Sequence, residues 1–339
     1  MSSLVLDTVR TAEPAFSAAA LRIDAAAEAK RIGTAIRTQV SRELRKRGVV
    51  VGLSGGIDSS VTAALCTAAL GPDRVLGLMM PERDSDPKSL RLGHELAAQL
   101  GIATALEDVD PILAAAGCYS RRDALIRRLV PEFGEGWGCK LARDEGPHKT
   151  GYNLTRLVVR SPDGRTEQLR MPLEIYLGII AAANMKQRTR KLVEYTHADR
   201  LNYAVAGTAN RLEYDQGFFV KNGDGAADLK PIAHLYKSQV YQLAEYLGVP
   251  AAIREREPTT DTWPLPQTQD EFYFALPYPA LDLCLYALNH GIPVEATARA
   301  AGLTPAEVER VWREIFAKRK ATKSLHAPPL LVEPVREML

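Results

Sequence analysis

The sequence has little cysteine, few aromatic residues and no excess of charge of one sign. Four cysteines in 339 residues are too few and too far apart for a disulfide scaffold. Lys and Arg together number 43 and Asp and Glu number 41, which gives a net charge of +2. A chain this balanced lacks the basic surplus of a general nucleic-acid binder, so nucleic acid is not an expected partner.

Long hydrophobic runs are also missing. No window reaches the ~18 uncharged apolar residues that cross a bilayer, so a membrane is not expected as a partner either. The first residues, Met1 to Asp7, lack the basic region followed by an apolar stretch that marks a signal peptide. We therefore expect the protein to act in the cytoplasm. The 46% apolar and 25% charged residues that are present are typical of a globular chain.

Strand-like and helix-like segments alternate along much of the chain. Short apolar runs are each followed by an Ala- and Leu-rich segment of helical character, and loops rich in Gly or Pro separate them. This alternation predicts an α/β fold, a doubly wound parallel sheet with helices on both faces. The runs that predict its strands lie at 48–53, 75–80, 104–108 and 201–206.

The alternation is interrupted between residues 117 and 172. We interpret this stretch as an insertion with a β-hairpin, because Pro162-Asp-Gly164 is a turn sequence between two strand-like runs. A long loop is predicted at 207–236. The predicted organisation is an N-terminal helical segment (1–47), a core (48–116 and 173–277), the insertion (117–172) and a helical C-terminal region (278–339).

Ser54-Gly-Gly-Ile-Asp-Ser59 is the most specific motif in the chain. It follows a predicted strand and opens a predicted helix, where backbone N–H groups and the helix dipole bind phosphate. The two glycines let the backbone approach an anion closely. Asp58 would repel phosphate unless a cation bridges them, so the motif predicts a nucleotide bound with Mg²⁺. It is not a Walker A loop, because no Gly-Lys-Ser/Thr follows.

A second polar segment, Gly207 to Pro231, follows the last predicted strand. Loops that leave the carboxyl ends of parallel strands line the ligand crevice of such a sheet. Asp58 and Glu213 are therefore expected to meet on one Mg²⁺, and Thr208 is placed to hydrogen-bond a phosphate or a ribose. By itself, the segment would also fit an ordinary solvated loop.

These motifs carry a resemblance to a known family. The Ser-Gly-Gly-x-Asp-Ser loop is that of the N-type ATP pyrophosphatase superfamily, in which it holds the pyrophosphate of ATP. The second segment resembles the ammonia-dependent NAD synthetases, with Gly-Thr, a Glu five residues after the Thr, and Lys-x-Gly-Asp-Gly-x-Ala-Asp. The likeness spans roughly residues 25–290 and includes Asn184–Arg190, His234–Val240, Glu257–Asp261 and Gln267–Glu271.

The resemblance implies a set of site residues by position. Asp58, Lys237 and Asp228 would be catalytic, with Asp228 accepting a proton in the ammonia step. Mg²⁺ would be held by Asp58 and Glu213, and the dinucleotide acid by Arg188, Lys221 and Asp228. ATP would be held by Gly52, Leu53, Ser54, Gly55, Gly56, Ile57, Asp58, Ser59, Thr208, Lys237 and Thr259.

Helix geometry bears on the predicted substrate contact of Arg188. Arg188 and Arg190 are two residues apart in a predicted helix. Side chains at that spacing do not share a helix face. We therefore expect only one of the two arginines to reach the substrate.

The implied reaction has two steps. The carboxylate of deamido-NAD attacks the α-phosphorus of ATP, which gives an acyl-adenylate and pyrophosphate. Ammonia then displaces AMP and leaves the amide of NAD. The first step needs charge stabilisation and alignment more than it needs a base. The resemblance also implies a homodimer.

Two other functions stay open at this point. The family core has a much shorter connection where this chain has residues 117–172, so a related ligase could amidate a different carboxylic acid. A non-catalytic nucleotide-binding subunit is the second alternative. It is disfavoured because Ser54, Asp58, Glu213 and Lys237 are all present.

Two further expectations concern the nitrogen donor and a possible metal site. The residues outside the core are too few for a glutaminase domain, which needs on the order of 150 residues. We therefore expect free ammonia or a separate donor protein. Cys118, Cys139 and His148 lack the spacing of a zinc site, so no structural zinc is expected there.

Overall fold

The computed structural model describes residues 15–143, 155–259, 262–274 and 276–335, with the side chains of Asp270 and Glu271 excepted. Its strands alternate with helices along the chain, as the sequence predicts. Within the described residues they are β1 (Val49–Gly52), β2 (Val75–Met79), β3 (Ala103–Leu106), β4 (Gly138–Arg143), β5 (Thr155–Arg160), β6 (Thr166–Arg170) and β7 (Ala204–Ala206).

The central sheet has four parallel strands in the order β3-β2-β1-β7. β1 lies inside it, with Val50 opposite Leu76 of β2 and Val205 of β7. Val49 and Val51 face one apolar core and Val50 faces another. All three are fully buried, as expected of a parallel strand covered on both faces.

Helices cover both faces of this sheet. α1, α2, α3 and α8 contribute apolar side chains to the core on one face, and the C-terminal part of α6 packs on the other. The predicted doubly wound fold is therefore confirmed. The helices are α1 (Ala25–Thr38), α2 (Ile57–Leu70), α3 (Pro87–Leu100), α4 (Asp110–Ala115), α5 (Cys118–Arg127), α6 (Leu173–Leu201), α7 (Arg211–Gln216), α8 (Lys237–Tyr246), α9 (Ala251–Arg254), α10 (Gln269–Phe272), α11 (Tyr278–His290), α12 (Val294–Ala301) and α13 (Pro305–His326).

Several elements differ from the sequence-based prediction. The long N-terminal helix begins only at Ala25, where Asp24 caps it by accepting a hydrogen bond from Ala27 N at 3.0 Å. It passes into a π-helical turn at 39–43. α6 continues to Leu201, so β7 is shorter than predicted. The predicted loop at 207–236 contains α7, which a capping box stabilises.

Residues 138–170 contain a second, three-stranded antiparallel sheet in the order β4-β5-β6. β5 and β6 are joined across the Pro162–Gly164 turn. Leu141, Leu157 and Val159 of this sheet form one apolar cluster with Ile175 and Ile179 of α6. α6 therefore extends from the small sheet to the central one.

The C-terminal region consists of three helices around a separate apolar cluster. Leu281 and Leu285 of α11, Ala298 of α12 and Val311 of α13 belong to this cluster. At the start of α13, Glu307 N donates to the Thr304 hydroxyl at 3.3 Å and Thr304 N donates to the Glu307 carboxylate at 2.9 Å. In the part of the chain that is described, no helix combines the length and apolar character needed to span a membrane.

The capping box of α13 gives a stability prediction. Replacing Thr304 with Ala removes the oxygen that accepts from Glu307 N, so we expect the free energy of unfolding to fall by about 1 kcal/mol in urea titrations. Thr196→Ala, at an exposed position inside α6, is the matched control and should change it by less than about 0.5 kcal/mol. Equal losses for the two variants would contradict a capping role.

Candidate functional site

A cavity of about 930 Å³ opens at the carboxyl ends of β1, β2 and β7. In an open parallel sheet, ligands bind at this edge, where the strand order changes direction. The volume is typical of a small-molecule site. The cavity is also lined by α6, by β4 and β5 of the small sheet and by α13, so every layer of the molecule contributes to its wall.

The Ser54–Ser59 loop forms the floor of the cavity beneath the start of α2. The hydroxyl oxygens of Ser54 and Ser59 lie 3.1 Å apart, and Ser59 Oγ also donates to Gly56 O at 3.0 Å. Gly56 is the N-cap of α2, and none of the described side chains caps it. The first turn of α2 therefore presents backbone N–H groups and two hydroxyls to the cavity, which suits phosphate oxygens.

Gly55 packs this loop against the start of α3. Its φ is +67°, in the left-handed region that favours glycine. A Cβ at this position would lie 2.6 Å from Ser89 O at the start of α3. The loop thus keeps its shape by packing its backbone directly on the next helix.

Lys237 and Asp58 form a buried ion pair at the cavity. Lys237 Nζ bonds Asp58 Oδ2, and Asn210 Nδ2 donates to Asp58 Oδ1 at 3.2 Å. Only 1% of the Lys237 surface is exposed. Burial by itself lowers the pKa of this lysine, but Asp58 and Glu213 raise it more, so Lys237 stays charged. The pair places a cation and a carboxylate beside the Ser54–Ser59 loop.

Asp282 orients the start of α8, where Lys237 is the first residue. Its two carboxylate oxygens accept from Lys237 N at 3.2 Å and from Ser238 N at 2.7 Å. Burial raises the pKa of Asp282 to about 6. A carboxylate on the N-terminal N–H groups of α8 fixes the direction in which the lysine side chain leaves the helix.

Glu213 is the second acidic group of the cavity. One of its oxygens accepts from Asn210 N at 3.1 Å, as the return bond of the α7 capping box, and the other lies 3.4 Å from Gln269 Nε2. Burial raises the pKa of Glu213, and the neighbouring Asp58 raises it further. Keeping a second carboxylate ionised in this position costs free energy unless a cation is bound between the two.

The chemistry of these two groups fits a magnesium ion. Mg²⁺ in nucleotide sites is usually held by one or two carboxylates and the phosphates of the substrate. Asp58 and Glu213 both line the cavity beside the Ser54–Ser59 loop. No group of three or more His, Cys, Asp and Glu residues suited to a metal occurs among the described residues, so a closed protein-only site is not formed there.

The structure brings nearly all of the predicted ATP residues to one cavity. Those that line it are Gly52, Leu53, Ser54, Gly56, Ile57, Asp58, Ser59, Thr208, Lys237 and Thr259, whereas Gly55 lies behind them. Thr259 forms a β-bridge with Thr268. Their roles in binding ATP stay predictions.

Two of the three residues predicted to bind the dinucleotide acid line the cavity, and the third does not. Arg188 and Lys221 line the cavity, and Arg188 Nε donates to Lys221 O at 3.2 Å. Asp228 is exposed and does not line it; its carboxylate accepts from Val205 N at 2.7 Å. Four residues earlier, Asp224 lines the cavity, accepts from Val220 N at 2.8 Å, and has its pKa raised by burial. Of the two aspartates in this loop, the structure places Asp224 at the site.

Which of Arg188 and Arg190 reaches the substrate stays a prediction. Both residues line the cavity, and Arg190 Nε donates to Met80 O at 3.3 Å. Arginine side chains are long enough to bend toward one cavity from two sides of a helix. Helix periodicity alone therefore does not exclude Arg190.

Several residues that line the cavity were not predicted as site residues from the sequence. Asp224 could have been found because it lies between two glycines in a loop that follows a strand. Glu194, Trp263, Tyr273 and Lys318 reach the cavity only because of tertiary packing. Cys118 and Cys139, by contrast, are buried, and Cys118 Sγ donates to Ala182 O at 3.2 Å. His148 lies outside the described residues.

Comparisons with known proteins place these residues in one family. The model of the NAD synthase family matches residues 28–127 and 167–323. The NH3-dependent NAD+ synthetase of Rhizobium rhizogenes is 63% identical over 95% of this chain and 97% of its own length. That of Thermotoga maritima is 38% identical over 84% of this chain and 92% of its own length.

Solved structures show the same fold at lower identity. An NMN synthetase from Francisella tularensis superposes with a TM-score of 0.62 at 21% identity, over 91% of this chain and 99% of that one. An NH3-dependent NAD synthetase from Campylobacter jejuni gives a TM-score of 0.60 at 23% identity, over 92% of this chain and all of that one. The architecture described above is thus shared along the whole length of both structures.

The packing of Gly55 on Ser89 gives a binding prediction. In Gly55→Ala the new Cβ would push the loop away from α3, so we expect affinity for ATP with Mg²⁺ to fall by about 1.4 kcal/mol or more, a tenfold change by calorimetry. Gly291→Ala is a matched control, since Gly291 has the same φ of +67° but nothing within 4 Å of an added Cβ. The control should lose stability and keep its affinity; loss of affinity in both would contradict the proposed cause.

Proposed function

Since the chain belongs to the NAD synthase family, we propose that it joins ammonia to deamido-NAD⁺ to form NAD⁺, with ATP as co-substrate. It is a ligase that forms a carbon–nitrogen bond. The observation that carries the proposal is the 63% identity to an NH3-dependent NAD+ synthetase over 95% of the chain. The cavity supports it, because the phosphate-binding loop, two acidic groups and a buried lysine meet there.

The proposed first step is attack of the substrate carboxylate on the α-phosphorus of ATP, with pyrophosphate as the leaving group. A carboxylate is already a nucleophile, so the protein has to align it and stabilise negative charge. The α2 N-terminus with Ser54 and Ser59 would hold the pyrophosphate part. Lys237, kept charged and aimed by Asp58 and Asp282, would lie against the phosphates as a fixed cation.

Mg²⁺ would be held by Asp58 and Glu213 together with phosphate oxygens. Bound there, it would neutralise charge that develops on the pyrophosphate. The raised pKa of Glu213 supports this assignment, because a divalent cation would stabilise the ionised form that burial and Asp58 disfavour.

In the proposed second step, ammonia attacks the acyl-adenylate and AMP leaves. The attacking nitrogen must lose a proton to end as a neutral amide. Asp224 is the acid of the Gly-rich loop that lines the cavity, and its raised pKa makes it a stronger base than an ordinary aspartate once it is ionised. We therefore assign the proton acceptor to Asp224 in place of Asp228.

The homodimer and the cytoplasmic site of action remain proposals as well. Leu173 and Leu177, four residues apart on α6, are both exposed, and an exposed pair of large apolar side chains on one helix face suits a subunit contact.

The proposed cytoplasmic site of action is supported by the proposed co-substrate, because ATP is a cytoplasmic metabolite.

The proposal is tested by following products with purified protein. With deamido-NAD⁺, ATP, Mg²⁺ and ammonium, we expect NAD⁺, AMP and pyrophosphate in equal amounts. With glutamine in place of ammonium, we expect no amide. The acid form of the mononucleotide should be offered in parallel, because one structural relative is named an NMN synthetase. Turnover with another acid but not with deamido-NAD⁺ would refute the substrate and leave the ligase chemistry standing.

Asp58→Ala serves as the chemically disabled variant in that assay. It removes a proposed magnesium ligand and leaves Lys237 without its buried partner, so we expect loss of all ATP-dependent turnover. Circular dichroism and size-exclusion chromatography check that the variant is folded. Full activity in a folded Asp58→Ala protein would exclude the proposed magnesium role. If Asp58→Ala does not fold, Glu213→Gln is assayed in its place.

Asp224 and Asp228 are distinguished by comparing their Asn variants. Asp224→Asn should keep pyrophosphate release, which belongs to the first step, and slow NAD⁺ formation by about 10²-fold or more. Because the wild-type group must be ionised to accept a proton, NAD⁺ formation should decline as the pH falls through the Asp224 pKa, and the variant should lack that decline. A larger loss of the second step in Asp228→Asn than in Asp224→Asn would overturn the assignment.

A further inference from the structure

One wall of the cavity is formed by residues 262–274, which we name the wall segment. Trp263, Phe272 and Tyr273 of this segment line the cavity. Gln269 Nε2 lies 3.4 Å from Glu213 Oε1, and Tyr273 OH donates to Gln216 O at 2.7 Å. The position of the wall segment thus defines part of the cavity, including the surroundings of Glu213.

The wall segment lies along the free edge of β4. In the order β4-β5-β6, one edge of β4 has no partner strand among the described residues. The carbonyls of Cys139 and Leu141, two residues apart, point to the same edge. Cys139 O accepts from Leu265 N at 3.3 Å, and Leu141 O accepts from the side chain of Gln267. An edge that would otherwise be open is therefore covered by this segment.

Lys140 and Gly138 of β4 make two further contacts with the same segment. Lys140 Nζ donates to Pro266 O at 3.1 Å. Gly138 is in close contact with Leu265, so that a Cβ at position 138 would overlap the Leu265 side chain. Leu265 is buried against Ala142 and Val158 of the small sheet.

Both ends of the wall segment are held by charged side chains. At its start, Lys186 Nζ of α6 donates to Thr262 O at 2.7 Å. At its end, Tyr273 O accepts from Arg143 Nη1 of β4 at 2.8 Å and from Lys318 Nζ of α13 at 2.7 Å. The contacts of the wall segment with Gly138, Cys139, Lys140 and Leu141 of β4 lie between these two ends.

β4 belongs to the stretch 128–166, which the family model leaves unmatched. We propose that β4 holds the wall segment in its cavity-lining position before any ligand binds, with Gly138 and Lys140 as positioning residues for the substrates. A wall that is already ordered removes part of the entropic cost of binding substrate. The effect on substrate rests on the proposed function, whereas the order of the wall segment does not.

The first test needs no substrate. Hydrogen–deuterium exchange of the ligand-free protein should show protected amides in the wall segment. Gly138→Val should make those amides exchange roughly tenfold faster or more, because the added side chain displaces Leu265. Lys140→Met, which keeps most of the apolar stem, is the milder variant and covers the case that Gly138→Val does not fold. Arg165→Ala, at the exposed tip of the β5–β6 hairpin, is the control on the same sheet.

The second test separates positioning from plain stabilisation. In Gly138→Val and Lys140→Met the KM for deamido-NAD⁺ should rise by about tenfold, while kcat changes by less than about threefold. If β4 only stabilises the fold, thermal midpoints will fall but exchange in the wall segment and the KM values will match the control. That result, or an unprotected wall segment in the wild type, overturns the proposal. If wild-type protein makes no NAD⁺, the proposed function fails while the exchange result still decides the role of β4.

Discussion

The buried ion pair between Lys237 and Asp58 is the constraint on which the cavity depends. A lysine that is 1% exposed requires a charged partner, since removing one member of a buried pair costs roughly 3–5 kcal/mol. Asp58 lies in the first turn of α2 and Lys237 is the first residue of α8, so the pair holds two helix starts at one point. Asn210, the N-cap of α7, bonds the same carboxylate. Positive helix ends and a cation therefore converge where an anionic ligand would lie.

A second buried cation connects the wall segment to the loop after β2 of the central sheet. Lys186 of α6 bonds Glu82 at 2.9 Å and Asp84 at 2.6 Å, both in the loop after β2, as well as Thr262 O. Arg122 of α5 shares Asp84 at 2.7 Å. Through these contacts the loop after β2, the long helix α6 and the wall segment keep fixed positions around one cavity. Such a network is stable because each buried charge has partners.

Much of the fold could be predicted because local rules and tertiary packing agree. The Val-Val-Val run of β1 is typical of a strand buried on both faces, and it occupies the middle of the sheet. Thr304, Pro305 and Glu307 predict a helix start, and α13 begins there. The Asn210–Glu213 capping box follows the same rule but was hidden in a Gly-rich polar segment that favours a loop. β4 was missed because its residues 138–143 alternate too weakly between apolar and polar to indicate a strand.

The sequence by itself determined the family, the parallel sheet and the glycine-rich loop before α2, since these depend on residue order and on spacing along one element. Tertiary structure decided which side chains share the cavity. Asp224 and Asp228 lie in the same loop, four residues apart. Asp224 lines the cavity, whereas Asp228 is exposed and accepts a hydrogen bond from Val205 N. Lys318 and Trp263 reach the site from distant segments through packing alone. Local patterns describe neighbours in sequence, whereas a cavity wall is defined by contacts between residues far apart in the chain.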